Sequence, residues 1–473
     1  MDVLAMETTK NTPSIHKVRR DVRGGKRGQG WKLQATGTRV RRPDPGRVRM
    51  DVTEGNMTCA AGLVEFGAFL RERGVDGLLR ELFHHMKVDP LVVYPMEAQL
   101  RLMIDLHIAG EARPFGLEAM AHDALFVHLA GGHVPSVDIL YDDLQRFGPE
   151  ELVRLEELMT GITLDRLRRK RPRLIHVDID TTVCPMFGTQ EGAVPGPNPR
   201  YPGRPSYHPM LARVAEVDGI CGAVLRPGNT SFGEADVPTI ERWLERVREA
   251  VGPDCVIRVR IDAAGDCALL LKKLHALGVL YYTKADITQD LADAIAWHTP
   301  WNSVSHDADG RPTRQAATVM FQRKVWNEQA LFPRVVALRS RDRDNGKQIF
   351  LWQNLDYTAQ CWLTNDTGCT EDDVAAIYND RAGIEPVIGE LKGAWCIGKA
   401  PSASFDANHA AFLIKLLAHN LFRWFLAQRF ERIAYWKTPW ARRATILRPG
   451  RLVRSGRRLT LRTTEVVMPP LRC

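Results

Sequence analysis

The chain has 473 residues, of which 44% are hydrophobic, and it carries a formal net charge of +9 at neutral pH. This length is sufficient for about two to four domains and for a sizeable hydrophobic core. The basic residues concentrate in the first fifty and the last forty positions, around a middle that is nearly neutral. Basic ends of this kind favour a polyanionic partner such as nucleic acid.

The composition also argues against several classes of protein. The nine cysteines are scattered, without a CxxC pair or a Cys/His cluster, so neither a disulfide framework nor a zinc site is supported. The N-terminus has no apolar run that resembles a signal peptide. The most apolar segment, 410–426, contains Lys415 and Arg423 and is predicted to be a core helix, not a membrane span. We therefore expect a cytoplasmic protein without a membrane partner.

In chain order, residues 1–50 are rich in Gly, Lys and Arg and are predicted to form a basic flexible arm. Apolar residues then recur at three- and four-residue steps, which predicts a helical region over 51–168. Ser136 is expected to cap a helix within it. That helix could be the second of a helix-turn-helix, but Asp138, Asp142 and Asp143 are unsuited to phosphate and favour a packing role.

From 169 to 290 the hydrophobic period changes to two, and strands alternate with helices in an α/β arrangement. The predicted strands are 173–180, 205–216, 222–225, 255–262 and 279–284. Residues 291–368 are predicted to form a β-rich insertion, with short strands at 335–339, 348–353 and 360–364. Helix resumes over 369–430, and 431–473 is a basic, hairpin-like tail.

One predicted helix carries an unusual set of polar residues, namely Tyr378, Arg381, Glu385 and Lys392. At the helical period these four lie within an arc of roughly 60° on one face. The simplest alternative is a solvated face with an Arg381–Glu385 pair worth about 0.2–0.5 kcal/mol. Pro386 predicts a kink or break in the helix just before it.

Carboxylates at two strand ends add to this set. Asp180 stands at the end of the strand 173–180, and Asp262 ends the strand 255–262. If these strands are neighbours, both carboxylates meet at one edge of the sheet, and Glu385 from the helix would complete a set of three. Three such carboxylates can hold two divalent ions about 3.5–4 Å apart, and Mg²⁺ prefers oxygen ligands of this kind. The alternative is that each Asp only caps a turn.

At this point the sequence resembles a known family. Residues 180–183 resemble the first-aspartate motif of DDE transposases. The spacing Tyr378-x2-Arg381-x3-Glu385-x6-Lys392 is similar to the Tyr-Arg-Glu-Lys signature of bacterial insertion-sequence transposases. Residues 188–193, 198–199, 203–209 and 225–230 resemble the insertion sequence 1380 family, and the resemblance covers roughly 55–465.

The resemblance implies an RNase H-like catalytic core, a mixed five-stranded sheet with flanking helices, interrupted by the β-rich insertion and preceded by a helical DNA-binding region. It implies that Asp180, Asp262 and Glu385 are catalytic and bind two Mg²⁺ ions, with Mn²⁺ able to substitute. The DNA-binding residues that it implies are Tyr378, Arg381, Lys392, Arg226 and Arg204. The expected partner is double-stranded DNA, at transposon ends and target, bound by a homodimer in the bacterial nucleoid.

Some alternatives stay open at this point. Asp266 is a rival for the position of Asp262, and Asp178 is a rival for Asp180. Pro197 stands where an aromatic residue is common in the family. A transposase that cuts and joins DNA is the main hypothesis. A two-metal nuclease without strand transfer and a transposase-derived DNA-binding protein are the alternatives.

Overall fold

The computed structural model describes residues 55–198, 200–298, 300–340 and 358–465. The predicted arm at 1–50 and the predicted strand at 348–353 lie outside the described residues. The strands are β1 (Met57–Thr58), β2 (Leu174–Thr181), β3 (Cys184–Pro185), β4 (Val194–Pro195), β5 (Pro205–Tyr207), β6 (Met210–Val214), β7 (Gly219–Val224), β8 (Val256–Ile261), β9 (Leu280–Lys284), β10 (Asn302–His306), β11 (Pro312–Val319), β12 (Arg334–Ser340), β13 (Thr358–Thr364), β14 (Gly450–Ser455) and β15 (Arg458–Thr463).

Helices precede, flank and follow the strands. They are α1 (Leu63–Glu72), α2 (Val75–Phe83), α3 (Met96–Ala109), α4 (Leu117–Met120), α5 (Ala124–Leu129), α6 (Val137–Leu144), α7 (Pro149–Lys170), α8 (Val237–Val251), α9 (Ala268–Ala276), α10 (Gln289–Trp297), α11 (Lys324–Glu328), α12 (Glu371–Asn379), α13 (Ile384–Gly393), α14 (Phe405–Arg429) and α15 (Thr438–Thr445).

A mixed sheet of nine strands, in the order β10-β11-β12-β13-β9-β8-β2-β6-β7, organises the α/β part of the chain. Strands β2, β8 and β9 are parallel to one another, and β6 and β7 continue the sheet antiparallel from β2. The sequence predicted a five-stranded sheet, and the observed sheet is larger because β13 pairs antiparallel with the outer edge of β9. An unpaired edge strand exposes backbone N–H and C=O groups. At the edge of β9 these groups pair with β13, and β12, β11 and β10 continue the same sheet.

The period of two fixes which face of the central strands is buried. Ile175, Val177 and Ile179 of β2 are fully buried in a core shared with α8 and α9. Side chains alternate across a strand, so Asp178 and Asp180 point to the other face. The pattern that predicted a strand therefore also decides where the carboxylates emerge.

The other large core is helical and is built around α14. Helices α1 to α7 share this core with α13 and α14, together with residues of β6 and β7. By length and composition α14 could cross a membrane, but 89% of its most apolar window is buried inside the protein. It is therefore a core helix, as predicted for 410–426.

Polar contacts tie these helices to the rest of the chain. The fully buried Asn420 of α14 accepts a hydrogen bond from the backbone N–H of Ile220 at 2.8 Å and donates to the carbonyl of Met159 at 2.9 Å. In α6, Asp143 is buried and accepts from Gln99 at 2.9 Å. This contact supports the packing role of α6 over a base-reading one.

Candidate active site

Two aspartates meet at the carboxyl edge of the parallel strands. Ile179 of β2 and Ile261 of β8 lie opposite each other in register, so Asp180 and Asp262 each follow the same rung of the ladder. Asp262 directly follows β8 and caps a short 3-10 turn, accepting a hydrogen bond from the N–H of Ala264 at 3.0 Å. The convergence that the strand pattern predicted is thus present in the fold.

The helix that bears the other predicted site residues is not continuous. Helix α12 ends at Asn379, a 3-10 turn covers Asp380–Gly383, and α13 begins at Ile384. The prediction of a break before Pro386 is confirmed, whereas one uninterrupted face from 378 to 392 is wrong. Pro386 is the third residue of α13, where a backbone N–H would have no partner within the helix, so proline is tolerated there.

Arg381 lies in the turn, between two of the carboxylates. Its Nη1 is 3.4 Å from Oδ2 of Asp180, and its Nη2 is 4.0 Å from Oε1 of Glu385. The same Nη1 is buried and has no hydrogen-bond partner. The guanidinium thus offsets the local negative charge through ion pairs, and its Nη1 makes no hydrogen bond to the described residues.

The electrostatics of Asp180 show that the carboxylates influence one another. Burial raises the pKa of Asp180 to about 6, the negative charges of Asp262 and Glu385 add to the rise, and Arg381 opposes it. Burial likewise raises the pKa of Tyr378, with smaller contributions from Asp262 and Asp180 in the same direction. The structure therefore brings Tyr378, Arg381 and the three acids into one neighbourhood.

Lys392 reaches the same neighbourhood in spite of the helix break. Its Nζ donates a hydrogen bond to the carbonyl of Val183 at 2.8 Å, on the segment that leaves the end of β2. The side chain of Lys392 is otherwise exposed. Lys392 therefore contacts the chain three residues beyond Asp180.

The two rival aspartates are already paired with arginine. Asp178 is fully buried and accepts from Arg260 at 2.6 and 3.0 Å. Both oxygens of Asp266 lie 2.8 Å from Nη1 of Arg323. Both rivals are held by close hydrogen bonds from arginine, whereas Arg381 approaches Asp180 only at 3.4 Å and without a hydrogen bond, so the geometry favours Asp180 and Asp262.

Arg226 does not occupy the position expected of a DNA contact. It is buried, its Nη1 lies 2.7 Å from both carboxylate oxygens of Asp236, and its Nε donates to the carbonyl of His208 at 2.9 Å. This pair indicates a structural role, because breaking it would leave Asp236 uncompensated, and the DNA contact expected of Arg226 stays a prediction that these contacts do not favour. The sequence showed a basic residue in a matched motif but not its partner.

Arg204, in contrast, lies at the surface beside two aromatic rings. Its guanidinium carbon is 4.5 Å from the ring centre of Phe187 and 5.5 Å from that of Tyr201. Sequence reasoning selected Arg204 but missed Phe187 and Tyr201. The residue type of an aromatic side chain does not show whether its ring is buried or exposed.

His208 supports the end of β2, a role that sequence reasoning missed. Its Nδ1 donates to the carbonyl of Thr230 at 2.7 Å, which leaves Nε2, 3.1 Å from Oγ1 of Thr181, to accept from that hydroxyl. Burial lowers the pKa of His208, which favours this neutral form. No sequence pattern indicated this contact.

Comparison with known proteins places the whole arrangement in a family. A family model described as "Transposase DDE domain group 1" matches residues 42–469. The chain belongs to this family of DDE transposases. The matched range of this DDE transposase domain includes β2, β8 and α13, and therefore Asp180, Asp262 and Glu385.

Solved structures of transposases are similar at low identity. A piggyBac transposase synaptic complex with hairpin DNA is 10% identical, with a TM-score of 0.43, over 81% of this chain and 78% of that chain. A Mos1 transposase paired-end complex with left transposon end is 13% identical, with a TM-score of 0.16, over 34% of this chain and 52% of that chain. No curated protein sequence matches the chain.

Proposed function

We propose that this DDE transposase binds the terminal inverted repeats of its own insertion sequence and catalyses Mg²⁺-dependent DNA cleavage and strand transfer. The contiguous strands β7, β6, β2, β8 and β9 support an RNase H-like core for this activity. Sequence resemblance supports membership in the insertion sequence 1380 family, and with it a bacterial cytoplasm as the place of action.

One observation carries the proposal. Asp180 and Asp262 end adjacent parallel strands in register, and Glu385, in the first turn of α13, acts on the charge of Asp180. Burial and these neighbouring acids raise the pKa of Asp180, which is costly for folding, and such perturbation is typical of functional sites. Their convergence supports a role in chemistry over a role in stability.

The donor set fits a hard divalent cation in kind. Carboxylate oxygens are the ligands that Mg²⁺ prefers. A cation would also neutralise the negative charges that repel one another around Asp180. Within the described ranges, no three Asp, Glu, His or Cys side chains already form a metal-binding group. Asp180, Asp262 and Glu385 would hold the ions. Divalent ions bound there would lower the pKa of an attacking water and stabilise the leaving oxygen of a phosphodiester.

The protein's own cations would position the DNA. Arg381, whose Nη1 is ion-paired with Asp180 but makes no hydrogen bond to the described residues, is suited to a phosphate oxygen, because guanidinium groups form strong, oriented bonds to phosphate. Lys392 would add a point charge, and the hydroxyl of Tyr378 a further hydrogen bond. With DNA in place, Arg381 would move from the carboxylates to the phosphate.

The partner in this proposal is double-stranded DNA, at the element's ends and at the target. Two ends must be joined in one reaction, so we propose a homodimer on DNA. The net charge of +9 supports an affinity that comes largely from phosphate contacts and falls steeply with salt.

The experiment uses purified full-length protein and a DNA fragment that carries the inverted repeats flanking its gene. With Mg²⁺, a transposase should cut at the repeat boundary and join the freed 3′-hydroxyl to a second DNA. Cutting without joined product would favour a two-metal nuclease. Specific binding without cutting would favour a DNA-binding protein that has lost catalysis, and absence of specific binding would contradict the proposal.

A further inference from the structure

An exposed cluster of aromatic and basic side chains lies outside the carboxylate site. It consists of Phe187, Tyr201 and Arg204, and we call it the Phe187 platform. Phe187 is 79% exposed and Tyr201 is 40% exposed, while Arg204 covers one side of Phe187 at 4.5 Å. A ring this exposed costs solvation, and in this position it stabilises no core.

The fold holds the platform in a defined shape. In the small sheet β3-β5-β4, Pro185 pairs with Ser206, and the N–H of Met186 donates to the carbonyl of Pro205 at 2.9 Å. These bonds bring the segment of Phe187 against the segment of Arg204. Between them lies an open cleft of about 550 Å³ lined by 186–189 and 202–205.

The chemistry of the cleft selects among ligands. Its lining among the described residues contains no carboxylate, and Arg200 stacks on Tyr201 at 5.6 Å, so the surroundings are cationic. An aromatic face beside arginine suits the base and the phosphate of a nucleotide. A base inside a duplex has no free face, so the ligand must be unpaired.

We propose that the Phe187 platform binds an unpaired nucleotide, whose base stacks on the open face of Phe187 while Arg204 contacts its phosphate. Phe187 is seven residues beyond Asp180, so their Cα atoms are at most about 25 Å apart. Lys392 donates a hydrogen bond to Val183, which lies on the segment between them. The inference rests on the proposed function in one respect, namely that the nucleotide belongs to a frayed DNA end at the carboxylates.

The test measures binding without catalysis, in EDTA and with the full-length chain. The probes are a fluorescein-labelled blunt duplex and the same duplex with a short single-stranded dT extension. Wild-type protein should bind the extended duplex about tenfold more tightly than the blunt one, because stacking on an aromatic ring stabilises an unpaired base. Phe187→Ala should remove that preference and leave the affinity for blunt duplex unchanged, and Phe187→Trp should retain it.

Phe332→Ala is the matched control, because Phe332 is 75% exposed and does not line the cleft. It should bind both probes like the wild type. The proposal is overturned if Phe187→Ala keeps the preference or if it weakens both probes equally. It is also overturned if the substitution changes self-association of the protein instead, which would indicate a protein partner. Because no metal or cleavage is involved, failure of strand transfer leaves this result unaffected, and the reverse also holds.

Discussion

Asp180 is the residue at which folding and the proposed chemistry conflict. Its carboxylate is largely buried, close to two other acids, and its pKa rises to about 6 from a usual value of 3.8. Arg381 compensates only partly, at 3.4 Å and without a hydrogen bond. Near neutral pH the folded protein therefore holds a charge that the unfolded chain would hold more easily.

We expect Asp180→Asn to stabilise the protein. Because the folded pKa is raised, ionisation of Asp180 costs stability as the pH rises from about 4 through about 6. The free energy of unfolding of the variant should exceed that of the wild type by roughly 1–3 kcal/mol above that range. Below it, the two proteins should be equal. Denaturant unfolding in EDTA at a series of pH values measures this difference.

Asp309→Asn, at an exposed turn, is the control and should show no such pH dependence. Adding Mg²⁺ should raise the melting temperature of the wild type more than that of Asp180→Asn, because binding to the folded state alone stabilises it. A variant less stable than the wild type at high pH would show that Arg381 outweighs burial and repulsion.

At the scale of elements, the turn between α12 and α13 decides where the site residues point. Arg381 belongs to the turn, whereas Glu385 and Lys392 belong to α13. Strict helical spacing therefore does not explain their convergence. The break lets Arg381 face Asp180 while Lys392 reaches Val183.

Pro386→Ala should change the free energy of unfolding by less than about 1 kcal/mol, because the third position of α13 needs no intrahelical N–H bond. Gly389→Pro should cost about 3 kcal/mol, because it places proline in the helix interior. It should also weaken DNA binding by displacing Lys392. Chemical denaturation and a DNA-binding titration would measure both effects.

Gly389→Ala separates the effect of a proline in the helix interior from the effect of losing the glycine. A Cβ at Gly389 meets no atom within 4 Å, and alanine is a better helix former by about 1 kcal/mol. This variant should be at least as stable as the wild type and bind DNA equally. A large loss with Pro386→Ala would mean that the proline itself shapes the turn.

The sequence predicted the central strands well and their surroundings less well. The alternation of apolar residues in β2 and β8 requires one buried face, which is why Asp180 and Asp262 could be placed at strand ends. The pairing of β13 with β9 joins residues about eighty positions apart, such as Trp362 and Lys284. No local pattern encodes such a pairing, so the extent of the sheet could not be predicted.

Partners distant in sequence also explain why residue type alone did not show the surroundings of the predicted site residues. Arg226 and Arg204 look alike in sequence, but Arg226 has a buried partner in Asp236, whereas the contacts given by the described residues for Arg204 are with aromatic rings. Asp178 and Asp266 match Asp180 and Asp262 in residue type, but each is hydrogen-bonded to an arginine distant in sequence, Arg260 and Arg323 respectively. Residue type and spacing indicate which chemistry is available, whereas partners distant in sequence decide which residue is free to perform it.

At the scale of the whole molecule, α14 joins the helical region to the sheet. Asn420 bonds to Ile220 of β7 and to Met159 of α7 from a fully buried position. Asn420→Ala should lower the free energy of unfolding by roughly 2–4 kcal/mol, because buried polar groups on both sides lose their partner. Differential scanning calorimetry should show one transition at a lower temperature.

Asn327→Ala, at an exposed position, should leave that transition unchanged. Two separate transitions in Asn420→Ala, or no shift at all, would show that the helical region and the sheet do not unfold together. A single shifted transition would show that the helical region and the sheet that carries the site unfold as one unit.

The most direct measurement of the central claim is strand transfer from a pre-cut element end in Mg²⁺, with each acid replaced singly. Asp180→Asn, Asp262→Asn and Glu385→Gln should each reduce the rate by at least about a hundredfold and still bind the end, since ligands of catalytic metals act mainly in the transition state. Asp266→Asn should retain activity if it folds. Full activity of Asp262→Asn together with loss in a folded Asp266→Asn would contradict the assignment. Activity retained by all three of the predicted variants would contradict the account itself.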